Sequence, residues 1–364
     1  MSYTPILAPY VKSLDASYQM VGIVLSTYGF VQMLLRLPLG IIADRYNTHT
    51  SIIRGLMVLC TISAIGLWMW PNIYATLLFR MLSAVAATVW VLHPMVFASY
   101  FAAHETSKAM GSITAIVNCG EMAGMLAGGI VAQYWGFGAT FLLAAFSGVV
   151  ALLFCLPLKD EPIPVHEPIR GTDLLVIARD RILNLTGILG LLLQVVTYGT
   201  IYGFTPLVAK KMGLSNLELG ILTTMFMLPG VLAAVMSGTF WGRRIGELRS
   251  IVGGFIILAI TCTVIPYATS MGMLYFWQAV QGFARGYIYP LLMVVGLRHI
   301  SAAKRTTAMG YSQTIYGLGM FIGPLVVGIL GDLFGLELSF VVIGLISLTG
   351  AFLAFWQRKT LAQG

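Results

Sequence analysis

The chain has 364 residues, 58% of them apolar and 9% charged, with a mean hydropathy of +0.89; a soluble domain carries roughly 25% charged residues. Such a composition cannot cover a water-facing surface, which excludes soluble enzymes and disordered scaffolds and leaves an all-α membrane protein with many spans. The net charge of +8 comes from cations in short clusters between apolar runs, a topology pattern and not a nucleic-acid patch.

Apolar runs of about 20 residues, enough to cross a bilayer as a helix, predict spans over 18–43, 51–70, 73–101, 107–132, 138–157, 182–209, 216–241, 249–268, 272–297, 306–331 and 338–357. These eleven full spans follow an apolar remnant, Met1 to Val11, that is too short to cross. Between the fifth and sixth lies Leu158 to Arg181, a long polar stretch with Pro162, Pro164 and Pro168 among alternating charges. It reads as a linker. The chain thus divides into an N-terminal helical half (1–157), the linker (158–181) and a C-terminal helical half (182–364). Cys60, Cys119, Cys155 and Cys262 fall in apolar runs without CxxC or metal-ligand spacing, so free thiols are expected, with no metal and no cofactor.

A duplicated fold shows ordered matches at one offset. Ala109-Met110-Gly111 recurs as Ala308-Met309-Gly310, Gly120 and Gly124 as Gly319 and Gly323, Gly129 as Gly328, Gly136 as Gly335, and Phe141 as Phe340, all 199 residues apart. Neighbouring offsets join Tyr3-Thr4-Pro5 to Phe204-Thr205-Pro206 and Gly22 to Gly220. The helix beginning near Ile182 would then have its counterpart starting about 17 positions ahead of Met1, so most of the first helix is expected to be missing here.

With the linker in the cytoplasm, fifteen loop Lys and Arg residues lie on that side and three, Lys12, Lys210 and Lys211, on the other. Positively charged loops resist translocation, so a multi-pass protein of the plasma (inner) membrane with cytoplasmic linker and C-terminus is expected. Arg36, Arg80 and Arg285 remain inside spans.

Three segments carry a family resemblance. Gly40-Ile41-Ile42-Ala43-Asp44-Arg45 is similar to the GxLaDRxGRR signature of the major facilitator superfamily of secondary transporters, although Asn47, Thr48 and His49 replace its later Gly and basic residues. The second-half copy, Gly238 to Arg243, has Gly242 where an Asp is expected. Arg80 to Ala86 looks like the family's RxxxGxG segment, with Ala84 and Ala86 for the glycines. Gly120 to Gly129 has the GxxxGPxxGG spacing associated with antiporters, with Met125 for Pro, whereas its repeat mate Gly319 to Gly328 keeps Pro324.

The resemblance covers nearly the whole chain. It implies two six-helix bundles related by a parallel repeat and a monomer that moves a small molecule by alternating access, similar to the drug:proton antiporter branch. It also implies a gate at Gly40, Asp44 and Arg45, and a role in helix packing or proton coupling for Arg80. Glycines four apart leave a flat groove for close helix approach, which makes Gly120, Gly124, Gly128, Gly319, Gly323 and Pro324 packing candidates.

Charges inside spans need a reason of their own, because hydrocarbon disfavours them by several kcal/mol. Glu121 lies about 21 Å along its helix and Arg285 about 20 Å along its own, both near the midplane, and Arg80 about 10 Å from the outer end. Glu121 reads either as a proton-carrying carboxylate or as a buried structural acid, and Arg285 either as a partner for an anionic substrate group or as counter-ion to Glu121. Arg36 is expected to snorkel toward the cytoplasm. Gln194, Tyr198 and Tyr202 share a helix face by their spacing of four, as do Tyr28 and Gln32, and Gln278 and Gln281 lie one turn before Arg285. These groups either hydrogen-bond between helices or line a cavity for a moderately polar molecule.

No GxxxxGK[ST] loop or HExxH motif supports a nucleotide-driven pump or a metalloprotease. The expected function is proton-coupled export of a small organic molecule. Proton-coupled uptake of a small organic anion, or a transport-inactive receptor on the same fold, are the alternatives.

Overall fold

A computed structural model describes residues 2–46, 48–101, 105–158, 177–237, 244–300, 305–358 and 361. The described secondary structure is helical throughout: α1 Thr4–Lys12, α2 Tyr18–Tyr46, α3 His49–Met69, α4 Ile73–Ala86, α5 His93–Ser99, α6 Thr106–Cys155, α7 Arg181–Val196, α8 Thr205–Lys211, α9 Asn216–Met236, α10 Glu247–Val264, α11 Met271–Leu297 and α12 Arg305–Trp356. A 3₁₀ turn, Ala87–Val91, separates α4 from α5, and a π-helical segment, Thr197–Phe204, joins α7 to α8.

Among the described residues nine helical stretches are long and apolar enough to span a membrane. Two of them, Ser112–Cys155 and Thr307–Trp356, are of double length, 44 and 50 residues. The separate spans expected over 107–132 and 138–157 meet at a break at Gly136 (φ 80°), and those over 306–331 and 338–357 meet at one at Gly335 (φ 85°). Positive φ suits glycine because it has no Cβ, and these two glycines are repeat mates. The Thr140 hydroxyl donates to the Gly128 carbonyl at 3.2 Å, so the chain returns antiparallel after the break. The expected single span over 73–101 is also broken, by the 3₁₀ turn.

Local chemistry sets several helix starts. Asn72, Asp180 and Ser270 accept backbone N–H bonds at the first turns of α4, α7 and α11, and Ser215 with Glu218 forms a capping box on α9. Arg54 on α3 donates from Nε to the Cys155 carbonyl at 3.2 Å and from Nη2 to that of Leu156 at 3.1 Å. A cation there satisfies carbonyls that the helix end leaves free. Outward-facing apolar residues such as Phe154 (76% exposed) and Val235 (75%) mark a surface made for lipid.

Helix α2 packs on α4, α3 on α6, α9 on α11 and α10 on α12, so each bundle repeats the other's pairing. Two seams join the bundles, α2 with α12 and α6 with α9. A Cβ at Gly22 would strike the Pro324 carbonyl and stand 3.2 Å from the Gly328 Cα; one at Gly220 would stand 3.2 Å from the Met125 carbonyl and 3.4 Å from the Gly129 Cα. Gly22 and Gly220, Gly328 and Gly129, and Pro324 and Met125 are repeat mates, so one contact is made twice with the halves exchanged.

Both contacts lie toward the linker-distal ends of their helices. The signature residues Gly40, Asp44 and Arg45 fall at the opposite end of α2; their side chains lie outside the described residues, as do residues 238–243 and most of the linker.

Candidate functional site

Between the bundles runs a row of rings. Tyr28 on α2 stacks on Tyr198 of the π-helical segment, with centroids 5.9 Å apart and planes 15° apart. From Tyr198 the row passes to Tyr202 at 5.4 Å and on to Phe226 of α9 at 5.8 Å. An arginine stands at each end: Arg80 lies 5.0 Å from the Tyr28 centroid and 5.7 Å from that of Tyr3, while Arg285 lies 5.9 Å from Phe226 and 5.8 Å from Tyr289. Ring faces attract a guanidinium, by about 2 kcal/mol or more where water is excluded. That attraction helps a charge persist in the membrane interior without a bonded carboxylate.

The row depends on the π-helical segment. A wider turn, common as a short insertion at functional sites, changes the angular register after Val196, so the expected shared face of Gln194, Tyr198 and Tyr202 is split. Gln194 is buried against α12, where a Cβ at Gly319 would stand 3.0 Å from its own Cβ, while the two tyrosines join the row.

Glu121 on α6 is half-buried and lines a cavity of about 340 Å³ together with Tyr3, Tyr28, Arg80, Ser83 and His93. Arg285 is within Coulombic reach of its carboxylate. Among the described residues no salt bridge joins the two, the Arg285 Nε is buried with no hydrogen-bond partner, and no group hydrogen-bonds Glu121. The simple counter-ion pair that the sequence left open is therefore not formed. Arg80 donates at 3.5 Å to the Tyr3 hydroxyl, and its Nε is likewise buried and unpartnered.

Arg36 does not reach toward solvent. Its Nε donates to the Gln32 side-chain carbonyl and its Nη1 to that of Gln313 at 2.8 Å, while Gln313 Nε2 donates to the Tyr289 hydroxyl at 2.9 Å. Gln32 Nε2 in turn donates to the Ala84 carbonyl at 2.7 Å. The Gln32 amide is thus engaged at both ends, as a tie between α2 and α4 and not as an open substrate contact. This clasp crosses from α2 to α12 and ends at the ring beneath Arg285. Gln281 donates to the Thr200 hydroxyl at 3.2 Å and the Cys262 sulfur at 3.4 Å, and the carbonyl oxygens of Gln194, Gln278 and Gln281 are buried without a donor.

The glycine motif divides unevenly. Gly319 and Gly323 meet the α7 main chain at the Leu191 and Val195 carbonyls, and Gly128 meets the Ser2 main chain. Gly124 has only an ordinary contact, 3.8 Å from Ser2, and Gly120 faces open space, so the packing role expected of Gly120 has no partner among the described residues. Gln313, Tyr289, Phe226 and Thr200 were not singled out from the sequence. Arg36 and Gln313 are 277 residues apart, and no local spacing announces such a pair.

The Major Facilitator Superfamily pattern matches residues 1–217 and again 187–363. An MFS-type transporter of Methanocaldococcus jannaschii is 22% identical, with 94% of this chain and 92% of that protein covered. The multi-drug resistance efflux pump PmrA of Streptococcus pneumoniae is 22% identical (92% and 86% covered), and the quinolone resistance protein NorA of Staphylococcus aureus is 22% identical (99% and 92%). Among solved structures, a bacterial homologue of the lysosomal transporter Spinster in an inward-facing, occupied conformation superposes with a TM-score of 0.83 at 15% identity, covering 99% of this chain and 93% of that one. The nucleoside transporter NupG superposes at 0.78 with 16% identity, covering 98% and 95%. Two family matches that together span the chain, on helices paired alike in two bundles, make this protein a member of the major facilitator superfamily of membrane transporters.

Proposed function

We propose that this transporter exports a small organic molecule in exchange for protons, with its linker and C-terminus in the cytoplasm. The observation that carries the reading is the pair Glu121 and Arg285: an acid and a guanidinium within electrostatic reach, with no hydrogen bond between them and none to Glu121 or to the buried Arg285 Nε among the described residues. Groups left open in this way are available to a ligand and a proton. Arg285 pairs with an anionic or strongly accepting part of the substrate, the tyrosine row gives it a flat apolar wall, and Glu121 alternates between protonated and charged forms. A substrate that occupies Arg285 alters the field at Glu121, and that links the two binding equilibria.

Efflux pumps among the relatives favour the outward direction. The arginines at both ends of the ring row favour the second reading, uptake of an organic anion.

Flux of an aromatic organic anion and of an aromatic cation into proteoliposomes, with and without a pH gradient, tests both. Glu121→Gln keeps the side chain's shape and removes its titration. Gradient-driven flux is expected to fall at least about a hundredfold, the scale of a lost proton-transfer group, with gradient-free exchange retained. Wild-type gradient-driven flux in that variant rejects Glu121 as the carrier. Arg285→Ala is expected to weaken binding of the anion about tenfold or more.

A further inference from the structure

We infer that Asp332 and Gln133 are a repeat-related pair of latches that hold the linker-distal mouth of the transporter shut. Asp332, at the end of the first limb of α12, accepts the main-chain N–H of Tyr18 through Oδ1 at 2.8 Å and that of Gln19 through Oδ2 at 2.7 Å. Gln133, at the matching point of α6, accepts the main-chain N–H of Asn216 through Oε1 at 3.0 Å. Tyr18 opens α2 and Asn216 opens α9. Asp332 follows Gln133 by 199 residues and Asn216 follows Tyr18 by 198, the offsets of the internal repeat. One contact, a side-chain acceptor from one bundle on the first turn of a helix in the other, is therefore made twice with the bundles exchanged.

The latches differ in strength by chemistry. Asp332 offers two oxygens and a negative charge to free N–H groups at the positive end of a helix, and Lys12 on α1 sits over the Tyr18 ring at 4.5 Å. Gln133 offers one neutral oxygen, and the side chain of Asn216 adds a bond to the Ala132 carbonyl at 3.1 Å. Each latch stands at the linker-distal end of a glycine contact, Gly22 on Gly328 and Gly220 on Gly129. The glycines let the seams close, and the latches bias them to stay closed. Swinging the bundles apart at that mouth, as alternating access requires, breaks both sets of bonds. Asp332 and Gln133 are accordingly positioning residues for the conformational cycle and touch no substrate. The inference rests on the transporter reading but not on its direction or driving ion.

The test measures spacing, not flux. Probes are placed at Tyr74→Cys and Tyr267→Cys, exposed positions on the linker-distal side of either bundle, with Cys60, Cys119, Cys155 and Cys262 replaced by alanine. Pulsed electron resonance then reads their distance distribution in purified protein. Asp332→Asn keeps volume but turns an amide N–H toward one of the two donors; it is expected to raise the ratio of wide to narrow spacings about fivefold, the equivalent of a lost helix cap. Gln133→Ala is expected to raise it about twofold, and the double variant more than either. Wild-type spacing in a folded, monodisperse Asp332→Asn overturns the latch. Should that variant not purify, Gln133→Ala decides alone, and wild-type spacing in it overturns the paired arrangement. Because no substrate is needed, loss of proton-driven flux in Glu121→Gln neither supports nor harms this result.

Discussion

The two seams between the bundles are built from the same repeat and yet are not alike. Along α2 and α12 the close approach continues past Gly22: a Cβ at Gly29 would land on the main chain of Met320 and Phe321, one at Gly317 would stand 3.0 Å from Met33, and the Arg36–Gln313 bond follows one turn further on. Along α6 and α9 the glycine contact stops near Gly129, and Gly120 faces open space. One seam brings main chains together for most of its length, whereas the other does so at one end and continues through the side chains of Met122, Met125, Phe226 and Met227. Glu121 sits on α6 beyond that glycine contact, half-buried and beside the cavity. The internal repeat gives a symmetric frame, and residues at single positions make its two sides unlike.

Breaking the seam of α2 and α12 is expected to give the largest effect. At Gly29 the obstacle is backbone, which cannot rotate away, so Gly29→Ala should cost about 3 kcal/mol of stability, the upper end for overpacking. At Gly220 the nearest atoms stand 3.2 Å to 3.4 Å away, and Gly220→Ala should cost about 1 kcal/mol. Thermal unfolding in detergent distinguishes them. Equal midpoints for the two variants would remove the distinction between the seams.

An intermediate effect is expected from the clasp. Arg36→Leu leaves the carbonyl oxygens of Gln32 and Gln313 without their donor, at about 1–2 kcal/mol in a low-dielectric interior. Hydrogen exchange locates the change: amides of α12 around Gln313 should exchange faster while those facing Gly29 keep their wild-type rates. Uniform acceleration along α12 would mean that Arg36 supports the whole seam and not its linker-side end.

How much of this was legible beforehand depended on whether a feature was local in sequence. Span lengths, the repeat offset and the depth of Glu121 and Arg285 follow from hydropathy and a rise of about 1.5 Å per residue, and the helices appear accordingly. The helices on either side of Gly136 and Gly335 were legible as separate spans, but the tight breaks between them were hidden, because a single positive-φ residue resembles any other loop glycine until its backbone is seen. Arg36 was misplaced for a different reason. Snorkelling is the reasonable expectation for a lone arginine near a span end, and only the approach of α12 brings Gln313 to it. The π-helical turn at Thr197–Phe204 likewise split a face that regular helical spacing had joined.

The smallest effect sharpens the same comparison at the membrane surface, where the repeat mates Lys12 and Lys211 end α1 and α8. Lys12 is tied to its own bundle, donating to the Ala16 carbonyl at 2.8 Å beside the Tyr18 ring, next to the Asp332 latch. Lys211 instead meets the Glu337 carboxylate at 3.4 Å, with about half of each side chain exposed. An exposed pair of this kind contributes roughly 0–1 kcal/mol and is screened by salt, so Lys211→Ala should leave the unfolding midpoint unchanged at about 0.15 M salt. Lys12→Ala removes a hydrogen bond to a main-chain carbonyl and a cation–π contact, and should cost about 0.5–1 kcal/mol, of which most persists at high salt because only its attraction to Asp332 is screened. Unfolding midpoints of both variants at low and high salt check this. A salt-dependent loss at Lys12 as large as that at Lys211 would show that both ends are held by surface charge alone.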